Sequence, residues 1–485
     1  MATPSAAATM ASGAPFTAGS TMRHVVVTTS TGALGLMAIF AVDFVDMLFI
    51  SMLGEVELAA AIGYGATILF FTTSICIAIA IAMGALVSQR IGAGDRTRAK
   101  RAVANVAAFA LMTTIPIAAL VIWWTPWLLT QLGAAGRAHD LAADYLYILV
   151  PAMPILALAM AAGGVLRGVG DPKRAMYATL GGGLINAILD PILIFALNLD
   201  LHGAALASVA ARVTVFAIGY WNVVHRHDML GGFQFRAFAR DFNAIIGIAL
   251  PAMATNIATP LANAYVTATV ARFGDEAVAG YSIIGRLIPV AFGVVFAMSG
   301  AIGPIYGQNY GAQRFDRVRT TLRDSLLFLT VYILGIWLLL ILLQNHIVAL
   351  FGLGEAAGDL VRFYCLYLAP GFLFLGGQFV AHAAFNNLGR ATWSTLSNWG
   401  RATLGTVPFV WAGAALGGPE GAMLGQAVGY VIAGTAAIYA GLYLVRGLES
   451  GQLQMRPEAA WRRFFRVPLW PQTSYKGWTG QYRGN

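Results

Sequence analysis

The chain has 485 residues, 58% of them hydrophobic and only 11% charged, with a formal net charge of +9 and a mean hydropathy of +0.71. A soluble globular domain carries about 25% charged residues, so that class is excluded. The basic excess does not point to nucleic acid, because Arg and Lys flank the apolar runs, as the positive-inside rule expects of a membrane protein.

Residues 1–24 are rich in Ala, Ser, Thr and Gly, with no charge before Arg23. A cleavable signal needs a basic start and a short apolar centre, so a disordered cytoplasmic tail and a retained first span are expected. Apolar runs of roughly 20 residues or more then follow, long enough to cross a bilayer as helices. They are continuous and not alternating, which selects helices over a barrel, the two structures that satisfy the backbone in lipid. Twelve spans are expected near 25–53, 60–88, 102–131, 144–166, 175–199, 203–225, 243–271, 277–306, 322–348, 361–387, 392–416 and 420–445. Trp123, Trp124 and Trp127 end the third as interfacial anchors. Cys76 and Cys365 lie in different halves as buried small hydrophobes, which argues against a disulfide framework.

With the N-terminus inside, inside segments hold 24 of the 30 Arg and Lys residues and outside segments 3 (Arg137, Arg272 and Arg362). Both ends are therefore expected in the cytoplasm, in a multi-pass protein of the cell inner membrane. The halves repeat. Gly84, Gln89 and Gly92 match Gly303, Gln308 and Gly311 at an offset of 219, as Gly170 matches Gly389; Gly203 matches Gly421 at 218. Each half holds six spans, an even number, so the repeats are parallel and related by an axis along the membrane normal. The expected fold is an all-α polytopic protein of twelve helices in two six-helix pseudo-symmetric bundles around a central cleft. Residues 25–225 form an N-lobe, 226–242 a cytoplasmic linker, 243–446 a C-lobe, and 447–485 a basic tail whose Trp461, Phe464, Phe465 and Trp470 suit a membrane surface. Two such bundles can rock to open the cleft to one side and then the other. No phosphate-binding loop is present, so pumping would draw on an ion gradient or a partner.

Carboxylates inside a span cost on the order of 2.5–3.5 kcal/mol and are functional candidates by default. Three qualify, all in the first half: Asp43, Asp46 and Asp190. Asp43 and Asp46 share a face of the first span at i,i+3; Asn186 and Asp190 share a face of the fifth at i,i+4. At the helical rise they lie ~10–15 Å from the outer end. Apolar surroundings and a second carboxylate favour the proton-bound form of such a group, which is what a proton carrier needs. Arg212 in the sixth span is at similar depth and is a candidate partner for Asp190 or Asp43, neutralising one acid and leaving another to titrate.

Val45 to Gly54 around Asp46 with Leu58, the paired Gln89/Gly92 and Gln308/Gly311 segments, Gly168 to Asp171, and Asn186 with Asp190 and Pro191 resemble the multidrug and toxic compound extrusion (MATE) transporters, in particular the DinF-like, usually proton-coupled branch. The resemblance spans about residues 25–445. It implies twelve helices in two lobes and cation-coupled antiport of small amphipathic compounds, with Asp46, Asn186 and Asp190 as the cation site and Ser208 in support. No cofactor is implied; the driving force is an H⁺ gradient, with Na⁺ the alternative. The expected partners are the bilayer and a small-molecule substrate, acting on a monomer. One departure is Thr31, where relatives carry a proline; its counterpart Pro251 is present.

The second half has no buried acid. Its embedded ionisable groups are Arg286, His382 and Arg401, and with Gln378 they are candidate cleft residues for an anionic or zwitterionic substrate. A flippase for a lipid-linked or anionic substrate is therefore the alternative. An enzyme is not expected, since the seven histidines are scattered and no metalloprotease motif occurs.

Overall fold

The computed structural model describes residues 13–52 and 56–453; the side chain of Asp43 and residues 454–485, which include the expected surface segment, lie outside the described residues. The apolar runs form α1 (Thr21–Met52), α2 (Val56–Gly92), α3 (Arg96–Gln131), α4 (Gly136–Val169), α5 (Pro172–Ala196), α6 (Asp200–Arg226), α7 (Phe235–Phe273), α8 (Asp275–Gly311), α9 (Phe315–Leu350) and α10 (Glu355–Asn387). The 59-residue stretch Ala391–Glu449 looks like one last span but folds back on itself. Gly417 and Gly418 leave helical geometry, Gly418 with φ +60°, immediately before Pro419. Beyond this turn Gly421, Gly425 and Gly429 pack on the backbone of Gly413, Phe409 and Gly405 in antiparallel register. The stretch is therefore two spans, α11 (391–416) and α12 (419–449), and the described residues build twelve. Small residues at this seam let the backbones approach, as helix pairs in lipid require.

Local chemistry sets the boundaries. Asp95 and Asp171 cap α3 and α5, their carboxylates accepting the backbone N–H of Arg98 (2.8 Å) and Arg174 (3.2 Å). Gly170 ends α4 at φ +94°, the left-handed geometry that suits glycine. Prolines break α4 and α10 at positions 219 apart: Pro151 lies in the 3₁₀ turn Val150–Ala152, and Pro370 in Ala369–Gly371.

Four expectations need correction. Residues 13–24 are ordered: Pro15–Thr17 forms a 3₁₀ turn with Phe16 buried, and α1 starts at Thr21. The fourth span begins at Gly136, not near 144. The linker is shorter than 226–242, because α7 begins at Phe235 where the sequence still looks polar. The lobes also exchange the feet of their first helices. Phe16 and Val25 pack in the core of α8–α12, while Phe238, Ala244 and Ile245 of α7 pack in the core of α2–α6. A matching contact holds each foot: Thr21 Oγ1 donates to Asp324 of α9, and Asn105 Nδ2 of α3 donates to Asp241 of α7 (2.7 Å), which also pairs with Arg90 (3.2 Å).

The lobes close on each other at the end that carries the feet and most of the Arg and Lys, the basic face. A Cβ on Gly92 would overlap the carbonyl oxygen of Gln308, and one on Gly311 that of Gln89. Gln89 Nε2 donates to Asn387 O (2.8 Å) and Gln308 Nε2 to Gly168 O (2.9 Å). These two bonds are mates under the 219-residue repeat.

Candidate functional site

In the N-lobe, α1 and α5 bring Asp46, Asn186 and Asp190 together. Asn186 Nδ2 donates to Asp46 Oδ1 (3.0 Å) and to Asp190 Oδ2 (2.5 Å). The i,i+4 spacing puts Asn186 and Asp190 on one face of α5; both are buried, Asp190 fully. Asp190 Oδ1 is buried and has no hydrogen-bond partner. The site can therefore take up a proton without a rearrangement of its side chains.

Arg212 does not pair with Asp190. Its Nη1 donates to Leu149 O (2.8 Å). That oxygen is free because the 3₁₀ turn at Pro151 sends the Met153 N–H to Val150 O in place of Leu149 O. Arg212 thus satisfies the broken helix α4, and the expectation that it neutralises Asp190 is corrected. Ser208 is half-buried on α6 and makes no side-chain hydrogen bond among the described residues. Thr31 donates from Oγ1 to Val27 O (2.8 Å) and Thr28 O (3.0 Å), and α1 runs unbroken through the position where relatives bear proline.

The C-lobe candidates separate. Gln378, His382 and Arg401 are buried inside the bundle, at 0%, 3% and 1% exposure, and Arg401 borders a pocket between α11 and α12. Gln378 Nε2 donates to Ser397 Oγ (2.9 Å). Arg401 donates to Asn398 Oδ1 (3.2 Å from Nε) and Thr259 Oγ1 (3.0 Å from Nη2), with its guanidinium 5.6 Å from the centre of the Tyr430 ring. Neutral acceptors and a π face replace the missing acid. Arg286 alone is exposed, on α8.

The repeated Gln/Gly segments join the lobes at the basic face. There the N-terminal segment bridges the lobes. Phe16 N donates to Gln308 Oε1 (2.9 Å), Arg317 Nη2 donates to Phe16 O (3.0 Å), and Pro15 packs against Gly170. Nearby, Asp171 accepts from Arg174 and from His227 (2.9 Å). Its burial works against ionisation, but these donors together hold the carboxyl below its usual range. The 219-residue offset between Gln89 and Gln308, applied to Gly168, would have located Asn387 as the second acceptor.

A sequence model of the MatE family matches residues 33–192 and again 251–411, two stretches offset by 218 to 219 residues. Among characterised relatives the chain is similar to a FAD transporter of Shewanella oneidensis, 28% identical over 413 residues that cover 84% of this chain and 91% of that protein. It is similar to the multidrug export protein MepA of Staphylococcus aureus at 24% over 348 residues, covering 68% and 75%. Among solved structures, the bent form of the Vibrio cholerae MATE transporter VcmN superposes with a TM-score of 0.84 at 25% identity, covering 89% of this chain and 98% of that one.

Proposed function

The chain belongs to the MatE family and is a multi-pass membrane transporter, not an enzyme; from that premise we propose that it exports small amphipathic organic compounds in exchange for protons taken up at Asp46, Asn186 and Asp190. The observation that carries the proposal is the single Asn186 amide held between two carboxylates in a buried site. Desolvation makes a pair of ionised carboxylates costly there, and one proton relieves it. Taking up that proton from the far face and releasing it to the basic face, which we place in the cytoplasm by the positive-inside rule, would drive substrate the other way.

The test is purified protein in liposomes enclosing a pH-sensitive dye, with a panel of amphipathic dyes of both charges (ethidium and rhodamine 6G as cations, fluorescein as an anion) as substrates and an imposed H⁺ or Na⁺ gradient. Wild type should exchange substrate for protons, and Asp46→Asn and Asp190→Asn should each abolish exchange while reaching the membrane normally. Undiminished exchange in both variants, or exchange driven by Na⁺ alone, overturns the assignment.

A second reading takes the cargo to be a flavin nucleotide such as FAD. It is motivated by the similarity to the Shewanella oneidensis FAD transporter and favoured by the exposed Arg286 in a lobe whose spans lack buried acids. The same liposomes offered FAD decide between the two.

A further inference from the structure

We propose that Arg286 is the receiving group for an organic anion in the gap between the lobes, so that the cargo carries a phosphate or carboxylate on an aromatic or apolar body. This rests on the transport reading above and names the substrate class for it.

The argument begins with the face of α8 on which Arg286 lies. Residues 293, 297 and 301 follow one another at i+4 steps and form one stripe, and beyond the kink at Phe292 residues 286 and 290 share a face one turn apart. Toward the basic face this stripe packs on the other lobe: a Cβ at Gly293 would stand 3.7 Å from Met37 of α1, and one at Gly32 of α1 would stand 3.4 Å from Ala301 and 3.7 Å from Ala297. α1 and α8 run antiparallel. Beyond the kink at Phe292, Arg286 on α8 and Phe44 on α1 each lie seven residues from the Gly293–Met37 contact. There both stripes are open, with Phe44 and Val290 each 67% exposed. Arg286 is exposed at the same level, which is where the proposal sets the gap between the lobes.

Depth and charge give the space its chemistry. Arg286 is eleven residues into α8 from Asp275, ~16 Å from the far end. A guanidinium so deep is costly against hydrocarbon and marks a water-filled path or a ligand. It has no hydrogen bond or ion pair among the described residues. The acids on its own helix, Asp275 and Glu276, are about three turns away. Asp46 on the facing α1 accepts from Asn186 of α5, and the side chain of Asp43 lies outside the described residues. A guanidinium fork matches the oxygens of phosphate or carboxylate, and the exposed Phe44 ring across the gap offers a flat apolar surface for the rest of the molecule.

The test is equilibrium binding to purified full-length protein, read by the fluorescence anisotropy of four dyes: flavin mononucleotide and fluorescein as anions, riboflavin as the neutral counterpart of the first, and rhodamine 6G as a cation. Wild type should bind at least one anion about ten-fold or more tightly than riboflavin and rhodamine 6G, the factor expected of one charge-assisted hydrogen-bonded pair. Arg286→Gln should bring the anion down to the riboflavin level, and Arg286→Lys should keep part of the preference. The proposal is overturned if neither anion is preferred by wild type, or if Arg286→Gln binds the anion unchanged. Should Arg286→Gln not yield monodisperse protein, the wild-type preference and Arg286→Lys decide. No gradient is imposed, so the outcome is separate from coupling. Proton-driven transport without anion preference removes only the Arg286 assignment, and anion preference without proton-driven transport removes only the coupling.

Discussion

At the residue scale, polar groups in the membrane have one of two fates, and the hydrogen bonds tell them apart. Asn186 stands between acceptors whose charge can change; Arg212 stands against a carbonyl whose charge cannot. Replacing Asn186 by Leu should therefore abolish proton exchange in liposomes, because the two carboxylates lose the donor that holds them in register. Arg212→Gln should leave exchange measurable and instead lower the unfolding temperature of the purified protein, through loss of a charged hydrogen bond worth about 1.5–3 kcal/mol at most; loss of exchange without loss of stability would return Arg212 to the coupling site. Asp171 gives a pH prediction. Its folded carboxyl lies below its unfolded value, so its contribution is present at neutral pH and disappears as the pH falls through the carboxylate range. Asp171→Ala should lower thermal stability at pH 7, by about 1 kcal/mol for the lost cap, and by clearly less near pH 3. A difference that grows toward acid would reverse the assignment. The acids were legible in the sequence because carboxylates are expensive in apolar runs and because i,i+4 spacing fixes a face. The partner of Arg212 was not, since it is a carbonyl freed by a 3₁₀ turn in another helix, α4, and reaches Arg212 only once the lobe has folded.

At the element scale, the paired Gln/Gly segments act across the lobes. Each glycine admits the opposite backbone carbonyl and each glutamine binds a helix end of the other lobe. Gly311→Ala should force the seal apart. A cysteine placed at Ser88, buried against Gly307, should then react with a membrane-impermeant maleimide added from the basic face several-fold faster than in the parent. Removing residues 2–19 should also raise that rate, because Gln308 and Arg317 hold Phe16 to one lobe while Pro15 packs against Gly170 of the other. An unchanged rate in both variants would mean that the seam opens without involving these elements. The repeat made the two segments visible as a pair, but a helix end and an interlobe contact look alike until the other lobe is in place. The N-terminal segment was misread because Ala, Ser and Gly carry no pattern of their own; its order comes from one buried Phe and the hydrogen bonds of its backbone.

At the scale of the whole molecule, the repeat, the exchanged feet and the one-sided seal belong to one mechanical arrangement. If each lobe were closed on itself, the two could slide or separate freely. Because α1 is rooted in the C-lobe and α7 in the N-lobe, opening at the basic face must swing both helices about their middles. α1 also carries Asp46, so the proposed proton site and the seal share a lever. The prediction is that covalent closure between α1 and α8 stops transport. Gly32→Cys with Ala301→Cys supplies the pair, since the Cβ atoms would stand 3.4 Å apart, close to disulfide reach, and native Cys76 and Cys365 are buried. Oxidation should abolish substrate exchange in liposomes and reduction restore it, with the uncrosslinked variant active throughout. Full exchange with the crosslink complete would mean that α1 and α8 do not part at this level and that substrate crosses by another route. Arrest by the crosslink, relieved by reductant, would tie the movement of α1, and with it Asp46, to the opening of the basic face.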